Sequence, residues 1–227
     1  GGAPTDYRAN DAIVFNDLAA TGNVVIGEGA VSPSSLTIDN ATLAYSFTGG
    51  NGVTGATGIV KNGAAQATFA NLGNAFTGGV TVNAGTLTFA SAQNIAGGLV
   101  VNGGTLVLGS ANTLSGNIAL NGSGVLALGA SGALGAGNAI AFGSGASGQF
   151  QLAANDVTVS GLTTHATVGT PTVVNGAAGT ATLTVNVASG SQTFAGVLAD
   201  GSAGTLAFAK TGAGTFVLTG ANTLTGG

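Results

Sequence analysis

His165, the only histidine in the chain, is the most obvious candidate for a general base. It lies in the stretch Thr163-Thr-His-Ala-Thr-Val-Gly169, which contains no carboxylate. A histidine that acts as a base is normally oriented by an acidic partner and placed beside a nucleophile. His165 has neither nearby in sequence. We therefore predict a solvated loop residue and no catalytic triad.

Carboxylates near the N-terminus are candidates for calcium ligands, because calcium prefers oxygen donors. Asp6, Asp11 and Asp17 follow no EF-hand spacing, and the chain has no Gly-Gly-x-Gly-x-Asp nonapeptide. We expect them to cap turns or to keep this end soluble. Asp156 and Asp200 each follow an apolar segment at a predicted corner, where an Asx-turn accounts for them. The sequence thus predicts no catalytic, cofactor-binding or metal-binding residue, and no cofactor.

Glycine-rich and threonine-rich stretches are candidates for binding surfaces. Gly143-Ser-Gly-Ala-Ser-Gly148 has the look of a phosphate loop, but no Gly-Lys-Ser/Thr follows it and 43 glycines make chance matches common. The pairs Thr86/Thr88 and Thr182/Thr184 are similar to the arrays of ice-binding solenoids. One repeat later Val107 replaces Thr88, so the array does not persist.

The charge content excludes several function classes. Only 4% of the 227 residues are charged, and the three cations are Arg8, Lys61 and Lys210. No basic patch is available to neutralise phosphates, so neither nucleic acid nor an anionic membrane is an expected partner. The stretch 62–155 has no ionisable side chain. A carbohydrate-active enzyme needs acidic or basic residues on its central surface, and we therefore predict that the chain is not an enzyme.

Compartment and membrane signals are weak. The chain has no cysteine, so disulfides give no evidence for secretion. Gly, Asn, Thr and Ser interrupt the apolar runs well short of the roughly 18 residues that a spanning helix needs, and we expect no direct membrane insertion by this segment. The N-terminal residues do not form a signal peptide, so we expect any such peptide to lie upstream or to have been removed.

The elements that must position these residues follow from an internal repeat. Asn83, Asn102 and Asn121 are 19 residues apart, and around each of them two short alternating apolar runs flank a corner. This pattern predicts an all-β fold with no significant helix, namely a single-stranded parallel β-helix, or β-solenoid, of about ten coils. Its interior ladders are predicted to contain Val80, Val82, Leu87, Phe89 and their equivalents. Corner glycines permit left-handed backbone, which Asn also tolerates.

The composition changes near residue 57. Residues 1–57 hold most of the acids, both tyrosines, Pro4 and Pro33, and we interpret them as atypical N-terminal coils with a possible capping role. Residues 58–227 form the repetitive β-helix. Strand-like runs such as Ile13-Val-Phe15 and Leu36-Thr-Ile38 persist in the first section, so we predict that the two sections are continuous.

Two segments carry a resemblance to a known family. Lys210-Thr-Gly-Ala-Gly-Thr-Phe-Val-Leu-Thr-Gly-Ala-Asn-Thr-Leu-Thr-Gly-Gly227 resembles the autotransporter-associated β-strand, or passenger-associated-transport, repeat. Ile59-Val-Lys-Asn-Gly63, followed by Phe76-Thr-Gly-Gly79 and Asn83-Ala-Gly-Thr-Leu87, is similar to a second copy that lacks one glycine. The resemblance implies a right-handed parallel β-helix, secreted to the surface of a Gram-negative-type bacterium, that acts in adhesion, aggregation or surface structure.

These observations predict a non-enzymatic, extracellular structural or adhesive β-solenoid of a bacterial cell surface. It is either passenger-like or the subunit of a surface fibre that assembles end to end through the uncapped C-terminal stretch Thr223–Gly227. The expected partners are copies of itself, end to end or laterally through Val100 and Val107, or cell-surface and extracellular-matrix components. The alternative is a carbohydrate-active or carbohydrate-binding β-helix. Aromatic residues are few and mostly at inward positions such as Phe89 and Phe216.

Overall fold

A computed structural model describes residues 7–135 and 137–227, and these residues form strands, turns and irregular corners without any helix. Every strand pair is parallel, which confirms the predicted parallel β-solenoid. Each coil gives one strand to a first sheet and the next to a second sheet. The first sheet runs in the order β1 (Ala12–Asn16), β3 (Ser35–Asp39), β6 (Ile59–Lys61), β9 (Val80–Val82), β12 (Leu99–Val101), β15 (Ile118–Leu120), β17 (Ala139–Phe142) and β20 (Gly161–Thr164).

The second sheet has nine strands, so the solenoid makes about nine turns, close to the predicted ten. At about 4.8 Å between neighbouring strands, the stack is on the order of 40 Å long. Its strands are β2 (Asn23–Val25), β4 (Tyr45–Thr48), β7 (Gln66–Phe69), β10 (Thr86–Phe89), β13 (Thr105–Leu108), β16 (Val125–Leu128), β18 (Gln149–Gln151), β21 (Thr172–Val174) and β24 (Val197–Ala199).

Three smaller sheets complete the coils. A third sheet contains β5 (Thr54–Gly55), β8 (Ala75–Phe76), β11 (Asn94–Ile95) and β14 (Thr113–Leu114). A fourth contains β19 (Val157–Val159), β22 (Gly179–Asn186) and β25 (Gly204–Thr211), and a fifth contains β23 (Ser191–Phe194) and β26 (Thr215–Leu218).

The 19-residue period predicted from the sequence is the register of β9, β12 and β15 in the first sheet. Leu99 pairs with Val80 on one side and with Ile118 on the other, and all three side chains are buried. The strands alternate buried and half-buried residues, as β12 does with Val100 facing outward between Leu99 and Val101. Each fully buried aliphatic side chain contributes roughly 1.5–3 kcal/mol, so the stability of the rod comes from coil-on-coil burial.

Aromatic rings fill the interior of the first coils. Phe47 and Phe69 stack with ring centroids 4.2 Å apart, and Phe15 meets Phe47 edge-on at 4.9 Å. Phe89 is fully buried, as predicted, whereas Phe216 near the last coil is partly buried. Such ring pairs add about 0.5–1.5 kcal/mol each beyond their burial. This interior leaves few aromatic rings for the outer surface.

The atypical section at residues 1–57 is built into the same sheets. β1 pairs with β3, and β3 pairs with β6 of the repetitive section, so the first sheet runs through both sections without a break. The capping role stays a prediction. Pro4 and Asp6 lie outside the described residues. In the part of the chain that the structure describes, no helix is long and apolar enough to span a membrane.

Candidate functional site: the polar corners

A ladder of asparagine side chains runs along the corner between the first and second sheets. The Nδ2 of Asn83 donates to Oδ1 of Asn62 at 2.8 Å, and Asn102 donates to Asn83 at 2.7 Å. Asn121 in turn donates to Asn102 at 2.9 Å. Because the coils are in register, each amide lies directly over the previous one, and each bond contributes a net 0.5–1.5 kcal/mol, roughly.

The reason for these asparagines differs from the one expected. Asn83, Asn102 and Asn121 do not have the left-handed backbone that we predicted for corner residues, whereas the following Gly85 and Gly122 have φ of 65° and 49°. At the Asn83 and Asn121 corners, a glycine therefore takes the left-handed conformation. The asparagines are needed for their side chains, which join neighbouring coils.

The ladder ends one coil beyond Asn121, where Gly143 takes the equivalent place. The Gly143 N–H donates to the Leu120 carbonyl, just as the Asn121 N–H donates to Val101. A Cβ atom on Gly143 would lie 2.1 Å from Oδ1 of Asn121, so the asparagine side chain occupies the space that a larger residue would need. The stretch 143–148, which we predicted not to be a phosphate loop, thus starts at the residue where the asparagine ladder ends.

A second set of amides lies between the second and third sheets and is mostly buried. Oδ1 of Asn112 accepts the backbone N–H of Gln93, one coil earlier, at 2.9 Å, and its Nδ2 donates to the Ser110 carbonyl at 2.7 Å. At a different corner, between β26 and the end of the second sheet, the exposed Asn222 makes the same two kinds of bond, to the Leu198 N–H at 2.8 Å and the Gly220 carbonyl at 3.1 Å. The side chain therefore acts as a bridge between coils.

Two lysines also make matching contacts. Nζ of Lys61 donates to the Gly63 carbonyl, and Nζ of Lys210 donates to the Gly212 carbonyl at 2.6 Å, in both cases two residues along the chain. Lys61 is fully buried and its Nζ also lies 3.5 Å from the Ala84 carbonyl of the next coil. Burial lowers the pKa of Lys61, against the opposing effects of Asp39 and Asp17.

The two lysine corners lie in segments that a known family model matches. A family model described as the passenger-associated-transport-repeat matches residues 59–89, 84–108 and 208–227. These three segments are similar to the passenger-associated-transport-repeat. The predicted resemblance at Lys61 and at Lys210 is thereby confirmed, including the copy that lacks one glycine. Comparison with curated proteins and with solved structures gave no match.

Within the first matched segment, residues 59–89, the burial of Lys61 was not anticipated. The sequence contains a signal for it, because Ile59-Val-Lys61 aligns with Val80-Thr-Val82 and places the lysine at an inward position. A lysine is almost never fully buried unless it is paired, so this position is unusual for its residue type. In the buried row of the first sheet, the Lys61 side chain therefore occupies the position that Val82 occupies in the next coil.

The acids are engaged with backbone N–H groups. Asp17 accepts bonds from Ala41, Thr42 and Leu43 of the next coil at 2.8–3.1 Å. These bonds, with that from Leu43 the strongest, lower the pKa of Asp17 to about 2. Asp11 accepts the Arg8 N–H at 2.8 Å, which is the predicted turn cap.

The two acids nearer the C-terminus do not form the predicted Asx-turns. Asp156 accepts the N–H of Thr182, 26 residues further on, at 2.7 Å. Asp200 accepts the N–H groups of Leu206 and Thr225 and the hydroxyl of Thr225, at 2.7–2.9 Å. The bond from Leu206, followed by those from Thr225, lowers the pKa of Asp200. The stacking of coils supplies long-range donors that a local pattern does not reveal.

His165 is exposed, and its Nδ1 accepts the backbone N–H of Thr167 at 3.0 Å. This confirms a solvated loop residue. Across residues 7–135 and 137–227, no three His, Cys, Asp or Glu side chains come together as a possible metal site. The polar groups of this candidate site therefore bond mainly to neighbouring coils of the same chain.

Proposed function

We propose that the chain is a passenger-like, non-enzymatic protein of a bacterial cell surface, and that it acts as a rigid structural spacer. The passenger-associated-transport repeats and the β-solenoid fold fit a secreted or surface-exposed protein of this kind. The observation that carries the proposal is the use of the corner side chains. The asparagine ladder, the Asn112 and Asn222 bridges and the carboxylates of Asp17, Asp156 and Asp200 bond to the next or the previous coil, which stiffens the stack.

The outer surface supports the non-enzymatic part of the proposal. Coils between residues 62 and 155 carry no ionisable side chain, so the middle of the rod has no acidic or basic group that could transfer a proton or activate a hydroxyl. The outward residues there are threonine, alanine, valine and glutamine, as at Thr88, Val107 and Gln151. Because these residues do not ionise, the charge of this surface does not change with pH, which suits a spacer.

Labelling of the source bacterium tests the location. Antibody raised against the purified chain is applied to intact cells and to cells whose envelope has been permeabilised, with a cytoplasmic protein as the control antigen. We expect labelling of intact cells. Labelling that needs permeabilisation, as it does for the control, contradicts surface exposure.

Incubation with polysaccharides tests the non-enzymatic part. Pectin, alginate and β-glucans are incubated with the purified chain, with and without calcium, and new reducing ends or unsaturated products are measured. We expect no product above the buffer control. Turnover that persists through purification contradicts the proposal and favours the alternative of a carbohydrate-active β-helix.

A further inference from the structure

The first sheet is interrupted between β20 and β23. It ends at β20, and β23 pairs with β26 in a separate sheet. On the other sides of the same two coils the ladders continue, because β21 pairs with β24 and β22 pairs with β25 over eight residues. Two adjacent coils are therefore joined by backbone ladders on two sides and lack such a ladder on the third.

One glutamine side chain bridges this interruption. Oε1 of Gln192 accepts the Leu162 N–H at 3.2 Å, and Nε2 donates to the Ser160 carbonyl at 3.3 Å. The amide thus bonds to β20 and its preceding residue as a peptide group of a paired strand would. A second side chain works in the opposite direction, since Oγ1 of Thr164 accepts the Ala195 N–H at 3.2 Å.

Gly161 makes room for the bridge. A Cβ atom at this position would lie 3.1 Å from both Nε2 and Oε1 of Gln192, which is tighter than most real contacts. Gly161 does not need a left-handed backbone, so the close approach of the amide, together with the Ala139 Cβ at 3.2 Å, accounts for glycine here. Beneath the bridge, Leu162 and Phe194 are fully buried, and the rings of Phe142 and Phe194 are 5.8 Å apart. The apolar core therefore continues from β20 to β23, although the first sheet ends at β20.

We propose that this interruption is a one-sided joint of the solenoid, with Gln192 as its latch and the pairs β21–β24 and β22–β25 as its spine. The three side-chain bonds are 3.2–3.3 Å long, whereas the corresponding backbone bonds from Asn102 to Val82 and from Asn121 to Val101 are 2.8 Å. Longer bonds made by rotatable side chains break at lower cost than a backbone ladder does. The joint opens locally on this side while the other two sides stay paired, and it does so whether or not the proposed function holds.

Hydrogen exchange of the full chain tests the joint. The amides of Leu162 and Ala195, which bond to side chains, are compared with those of Asn102 and Asn121, which bond to backbone carbonyls of the first-sheet ladder. We expect exchange at least tenfold faster at Leu162 and Ala195. Equal rates at the two places overturn the proposal.

Variants separate the latch from general stability. We expect Gln192→Ala to accelerate exchange at Leu162 a further fivefold or more without changing exchange at Asn102, and Gly161→Ala to do the same by displacing the amide. The double variant is expected to match either single one, because both changes remove the same contact. Gln151→Ala is the control, since its amide bonds to Gln149 within the second sheet. Acceleration throughout the chain, or additive effects in the double variant, overturns the latch.

Discussion

The Nδ2 atom of Asn102 lies 2.7 Å from Oδ1 of Asn83, although the two residues are 19 positions apart. The 19-residue repeat of the sequence thus corresponds to the stacking of one coil on the next. It exists because corner positions of successive coils lie directly above each other, and it recurs from Asn121 to Asn102 with the same geometry. The ladder therefore offers a direct measure of how much the corners stabilise the rod.

Asn102→Ala removes two ladder bonds, one to Asn83 and one from Asn121. We expect the free energy of unfolding to fall by about 1–3 kcal/mol, since each bond contributes roughly 0.5–1.5 kcal/mol. Urea unfolding followed by circular dichroism measures the change. Asn94→Ala, at an exposed position of β11, is the matched control. Equal losses in the two variants would contradict a stabilising ladder.

Gln93→Asn is expected to stabilise the chain. Gln93 occupies the column of Asn74 and Asn112, but its Oε1 is buried without a hydrogen-bond partner. A shorter asparagine at this position can accept the N–H of Asn74, as Asn112 accepts that of Gln93. We expect a gain of about 1 kcal/mol in the free energy of unfolding. The reciprocal change, Asn112→Gln, should cost stability, and a gain there would contradict the reasoning.

Because Lys61 is buried, we expect the free energy of unfolding to rise at alkaline pH. Its pKa is lowered chiefly by burial, so between that lowered value and the ordinary 10.5 the unfolded chain binds the proton more tightly than the folded one. The free energy of unfolding should therefore increase with pH over this interval. Unfolding is compared between the natural chain and Lys61→Met from pH 7 to pH 10, with Lys210→Met, at an exposed position, as the control. A pH-independent difference between the natural chain and Lys61→Met would contradict the effect of burial.

Because Asp17 accepts three backbone hydrogen bonds, we expect the chain to lose stability at acidic pH. Its pKa is lowered from 3.8 to about 2 by the N–H groups of residues 41–43, so its stabilising effect is complete above pH 3.8 and is lost as the pH falls towards about 2. At pH 7 we expect Asp17→Asn to unfold at a lower temperature than the natural chain, and at pH 2 the two should converge. Glu28→Gln, also exposed, controls for the change in net charge. A temperature difference that stays constant with pH would show that the carboxylate charge is not the cause.

The fold was predictable because its signal is local and repeated. Alternation in Leu99-Val-Val101 and its equivalents sets the buried faces, and the 19-residue spacing sets the register. Lys61 shows the limit of composition, since lysine is rarely buried, while its position in the alternation places this one inside. The role of Asp156 and the bridge at Gln192 depend on which residues of a later coil come to lie above them. Coil lengths change in that region, as the pairing of Gln149 with Thr172 and of Thr172 with Val197 shows, so a fixed period does not identify those partners.

The asparagine ladder has a polarity. Each amide donates towards the N-terminal end of the rod, from Asn121 to Asn102, from Asn102 to Asn83 and from Asn83 to Asn62. The amide dipoles therefore align, with a negative oxygen left at Asn121 and a positive amide group at Asn62. Asp39 occupies the next position in the column, because its neighbour Ile38 pairs with Lys61, so a carboxylate follows the positive end of the row. Reversing the direction of any one amide would set oxygen against oxygen, which makes the row of side chains a one-way arrangement.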